Sequence, residues 1–153
     1  MKPEQLHRRH LTALIAGDHD TAANLRKHFG RTDHDTAVQF LRAATAVSLE
    51  YRFGPGAGLG AGPIDYDELA AFMSELRRTC EGAEPPPDYL AVEAAIRALY
   101  GEPHLIEPLQ RQQHSQALYL ALTAQTRRHP WIAANPEWVL DRAKHTSLIW
   151  LLS

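Results

Sequence analysis

Cysteine appears once in the 153 residues, which excludes an intrachain disulfide and any knuckle of paired thiols around a metal. Cys80 closes an apolar stripe with Leu69, Met73 and Leu76, the setting of a structural thiol rather than a nucleophile. Serine is scarce too, at positions 48, 74, 115, 147 and 153, and none is framed by the glycines that expose a nucleophile on a sharp turn. Neither a His-Glu-x-x-His nor a Cys-x-x-Cys occurs. A dominant charge sign is also missing, since 16 basic residues stand against 18 acidic ones and neither end carries a charged tail. That balance excludes chain-wide attraction to nucleic acid or anionic lipid. No apolar run approaches the ~20 residues of a membrane span. The first ten residues lack the apolar stretch of a signal peptide, and a cytoplasmic protein is expected. Period-two alternation bounded by hairpin turns is absent, so no sheet is expected, and no fixed repeat points to a solenoid.

What remains is helix. Alanine supplies 23 residues and arginine outnumbers lysine thirteen to three, both good helix formers. Apolar spacing and capping residues predict helices over Pro3 to Ala16, from Asp18 or Asp20 to Phe29, and from Asp33 or Asp35 to Phe53. Further helices are expected from Asp65 to Cys80, from Asp88 to Gly101, from about Pro108 to His129, and onward from Asn135-Pro136. The third has apolar residues on too many sides for one stripe, so it is either central or shared with a partner. The expected fold is an all-α, single-domain bundle of six or seven helices over residues 1–153. A three-helix block (1–53) is joined to a four-helix block (64–153) by a flexible Gly/Pro loop at 54–63.

That loop holds five of the nine glycines, yet it lacks the chemistry of a phosphate cradle. Pro63-Ile64-Asp65 follows where a Lys-Ser/Thr pair belongs, and helix rather than strand precedes it. Nine histidines invite a metal reading, and Glu4-x-x-His7, Asp141 with His145, His19-Asp20 and His34-Asp35 are the candidates. Each is a lone pair where a metal site needs three or four converging ligands, so no metal or other cofactor is assigned, and a metal-dependent hydrolase using the N-terminal His and Asp residues is kept as an alternative. The acidic start at Asp65, Asp67 and Glu68 and the basic end at Arg127, Arg128 and His129 suit helix dipoles without catalysis. No enzymatic activity is assigned.

A second alternative is a helix-turn-helix DNA-binding regulator over residues 20–45, with Arg26, Lys27, Arg31 and Arg42 toward phosphates. Asp33 and Asp35 open its would-be recognition helix and repel DNA, which makes nucleic acid an unfavoured partner. Trp131 and Trp138 flank a Pro-Trp-Ile-Ala-Ala-Asn-Pro connector and are expected to pack a corner. Finally, Leu148-Ile149-Trp150-Leu151-Leu152 covers every side of the last turn and a half. The expected role is therefore non-enzymatic: a helical adaptor or regulatory domain that binds a second copy or a helical partner. Its expected interface residues are Trp150, Leu151, Leu148, Phe53 and Tyr51.

Overall fold

The computed structural model describes residues 2–30 and 34–152, and it is an all-α bundle with no strand among them. Its helices are α1 (Pro3–Ile15), α2 (His19–Arg26), α3 (His34–Phe53), α4 (Tyr66–Thr79), α5 (Tyr89–Ala98), α6 (Arg111–Arg128), α7 (Pro130–Ala134) and α8 (Pro136–Leu152). A 3-10 turn at Pro103–Ile106 precedes α6. All seven expected helices are present, and the one-turn α7 inside the Pro-Trp-Ile-Ala-Ala-Asn-Pro connector makes eight. Pro130 starts it and Pro136 ends its run, so the connector had room for only one turn.

Local chemistry explains the boundaries. Asp18, Asp65 and Asp88 each accept a hydrogen bond from a backbone N–H in the first turn of the helix they cap. Gly17 takes φ +83°, a left-handed conformation that turns the chain out of α1. No helix among the described residues is long and apolar enough to cross a membrane.

The bundle is built around α3. Its residues Ala43, Ala44, Thr45, Ala46, Val47, Ser48 and Leu49 are all buried, which answers why apolar residues surround it. α8 packs on one side and α6 on another, with α1 closing against α8 and α2. Small side chains on α3 let α6 come close, and Gln125 of α6 donates from Nε2 to the Ser48 carbonyl at 2.7 Å inside the core. One apolar cluster runs from Leu11 through Leu49, Phe72, Ile96 and Leu122 to Ala143, so both sides of the glycine segment share a core. Fully buried leucines such as Leu118, Leu122 and Leu140 each contribute about 2–3 kcal/mol by leaving water.

The 54–63 segment, expected as a flexible connector, is tied at several points. Tyr100 donates its hydroxyl to the Gly54 carbonyl at 2.9 Å, and the Gly58 N–H donates to the Leu99 carbonyl at 2.7 Å. Ala57 and Ile64 are buried. Trp150 of α8 donates from Nε1 to the Gly58 carbonyl at 2.8 Å. A Cβ at position 58 would lie 2.6 Å from the Trp150 ring, and φ there is +73°, so glycine is required twice over.

Candidate functional site

A groove of about 530 Å³ lies between α1, α3 and the end of α8. Its walls are mostly apolar, with Phe40, Leu148, Trp150 and Leu151 as the main hydrophobic surfaces. Its rim carries both signs of charge. Lys144 lies 3.4 Å from Glu4, and Asp35 is 2.7 Å from Arg111. Arg8, half-buried at one end, pairs with Glu137 at 2.6 Å and Asp141 at 2.7 Å.

Helical geometry explains why α8 ends this way. Its first three turns bury Val139, Leu140, Ala143 and Thr146 on one side. The last turn and a half keeps apolar residues after the bundle's other helices have no more surface to offer. Leu148 is 49% exposed, Leu151 80% and Leu152 88%. Ile149 is exposed as well.

The five expected interface residues therefore separate. Leu148 and Leu151 are exposed on the wall of the groove, and Tyr51 is exposed at the opposite end of α3. Trp150 is half-buried against the glycine segment and under Arg42, whose guanidinium carbon is 4.4 Å from the ring centroid. Phe53 packs edge-on against Phe72 and Tyr100 in the core. Tyr51 instead joins an aromatic face with Trp131 and Trp138, whose ring centroids are 5.1 Å apart, and Arg142 lies over Trp138. The Trp131–Trp138 contact was thus legible from sequence, as was Arg142 one turn along α8 from Trp138, while Tyr51 came to it only through the pairing of α3 with α8.

The basic residues of the DNA-binding alternative also divide. Arg26 and Lys27 are exposed on α2, with Arg26 over the Tyr119 ring at 5.4 Å. Arg42 is half-buried on α3, and Arg31 and Asp33 lie outside the described residues. The histidine–acid pairs are drawn apart: Glu4 faces Lys144, Asp141 takes Arg8, and Asp35 takes Arg111. His19 and His34 sit exposed at helix starts. Among the described residues no group of three His, Cys, Asp or Glu is placed to hold a metal.

Two histidines of α1 are buried, and the sequence marked only one of them, His7, and that as a candidate metal ligand. His7 and His10 on α1 both meet Phe29 edge-on, at 4.9 and 5.1 Å, and His10 also meets Tyr119. Burial, with the positive charge of Arg26 and the neighbouring His7 adding to it, pushes His10 down to about 4. Their i, i+3 spacing on an otherwise polar stretch was the available signal.

The fold and this surface define a small helical bundle with an unsheathed apolar helix end beside a mixed-charge groove. Comparison of the chain with family models, curated proteins and solved structures finds no significant match.

Proposed function

We propose that this chain is a non-enzymatic helical interaction domain that self-associates through the end of α8. The observation that carries the reading is the juxtaposition of Leu148, Leu151 and Leu152, exposed, with an apolar groove at their side. A two-fold axis through such a patch puts each protruding end into the other copy's groove, because in a symmetric pair the same surface serves both roles. The rim suits this arrangement. Glu4 and Asp35 line the groove together with Arg8 and Lys144, so its rim offers both signs of charge to a second copy. Apolar area of this extent at a helix end favours a partner over water. The lone Cys80 fits a reducing, cytoplasmic setting.

Light scattering coupled to size exclusion tests the reading. The expected mass exceeds the 17.1 kDa of one chain at micromolar concentration. Changing Leu151 and Leu152 together to Glu, a good helix former, is expected to return it to one chain without loss of helix content. A wild-type protein that elutes as a single chain at all concentrations removes the proposal.

A further inference from the structure

We propose that Arg42, with His114 beside it, forms a binding site for a small oxyanion such as phosphate or a carboxylate. This does not rest on the self-association reading, although Trp150, which covers Arg42, also lines the groove beside α8. Arg42 is half-buried on α3, and one face of its guanidinium is covered by the Trp150 ring of α8 at a centroid distance of 4.4 Å. Stacking of this kind occupies the planar face and leaves the N–H edge directed outward. No carboxylate, carbonyl or hydroxyl among the described residues accepts from that edge. The contrast lies ten residues along the same helix, where Arg52 meets Glu68 at 3.2 Å and Glu75 at 2.6 Å. An arginine taken partly out of water without an acceptor is costly, and an oxyanion on its forked edge restores two charge-assisted hydrogen bonds.

The neighbours on α6 are an imidazole and a second arginine. His114 is half-buried on α6, and burial together with the positive charge of Arg42 holds its pKa below the usual histidine range. Its ring nitrogens donate to no protein group among the described residues. Arg111 stands one turn earlier on the same side of α6. The acid on this stretch of α3, Asp35, is already engaged by Arg111 at 2.7 Å, so its repulsion of an incoming anion is reduced. Trp150 is itself anchored on the Gly58 carbonyl, which fixes the wall against which Arg42 is held.

The test is a titration with inorganic phosphate, and separately with acetate, at ionic strength matched by sodium chloride. The readouts are calorimetric heat and the His114 imidazole signals in NMR. Phosphate is expected to bind saturably and to raise the His114 pKa, because a bound anion favours the imidazolium. Arg42→Gln is expected to weaken binding at least tenfold, and Arg42→Lys, which keeps charge but loses the fork, to weaken it less. Acetate binding as tightly as phosphate assigns a carboxylate ligand; weaker acetate binding assigns a phosphate. Wild-type protein that shows no saturable response to either anion overturns the proposal without recourse to any variant. So does a response equal in wild type and Arg42→Gln. The Leu151, Leu152 double change to Glu separates the two readings, since it is expected to abolish association and leave phosphate binding intact.

Discussion

The seam between α3 and α8 has two ends built on different terms. At the end formed by Arg52 and Tyr51 the arginines Arg52, Arg128 and Arg142 all face acids. Arg52, whose side chain is 6% exposed, bridges Glu68 and Glu75, Arg128 adds to Glu75 at 2.7 Å, and Arg142 approaches Glu50 at 3.9 Å. At the other end Arg42 rests on Trp150 without a carboxylate, and the next residues of α8 are exposed leucines. One helix pair thus carries a closed end, where its arginines are paired with acids, and an open end, where Arg42 has no acid and apolar residues stay exposed. Closed ends hold folds together; open ends are where ligands and partners supply what is missing.

Acid is expected to separate the two ends most strongly. His10 packs against Tyr119 and His114 lies beside Arg42 on the open side, while burial with Arg128 and Arg52 nearby also pushes His129 down at the closed end. The native pKa of His10, about 4, lies below the unfolded value near 6.5, so the unfolded chain binds more protons in this window. Stability is therefore complete above pH ~6.5 and falls as pH drops toward 4, by about 3 kcal/mol for this group. Urea unfolding at pH 7, 5.5 and 4.5 measures it. His10→Phe, which keeps the ring contacts, should flatten the slope, and an unchanged slope would show that His10 is not its source.

Next in size is the closed end. Arg52→Met should cost about 2 kcal/mol in chemical denaturation, because it strips both carboxylates of a bidentate, largely buried donor. Arg42→Met is the matched control on the open end and should cost no more than about 1 kcal/mol in buffer free of phosphate, since it loses only the stack on Trp150. Equal losses at the two positions would erase the distinction. Between these lies Gly58→Ala, expected to cost about 1–2 kcal/mol, since it forces φ +73° on alanine and pushes the Trp150 ring away. Its near-ultraviolet circular dichroism should change with that displacement. The smallest effect on the folded chain belongs to Leu151→Glu, within about 0.5 kcal/mol for a monomer, while association weakens. A large loss of monomer stability there would place Leu151 in the chain's own core.

Much of the fold was legible because its signals are local. An aspartate cap needs only the three residues after it, and Asp18, Asp65 and Asp88 all serve. Gly17 and Pro130 stop helices by backbone geometry alone. The density of apolar residues along α3 marked it as central or shared, and it is central. Boundaries slipped where two weak signals met: α6 begins at Arg111 rather than near Pro108, because residues 103–106 first close a 3-10 turn. The site was less legible. Trp150 was singled out by composition as an interface anchor, but its neighbours Arg42 and Gly58 come from distant parts of the chain.

Spacing and capping along the chain were thus enough to decide that the protein is helical, where its helices start, and that α8 ends in residues too apolar for any one side to absorb. Which of those apolar residues are covered was settled only by assembly. α3 and α8 run antiparallel, so Trp150 meets Arg42 and the glycine segment while Leu151 and Leu152 extend past them. The reason is physical: a helix period is written in a few consecutive residues, but burial and charge pairing depend on which other helix arrives alongside.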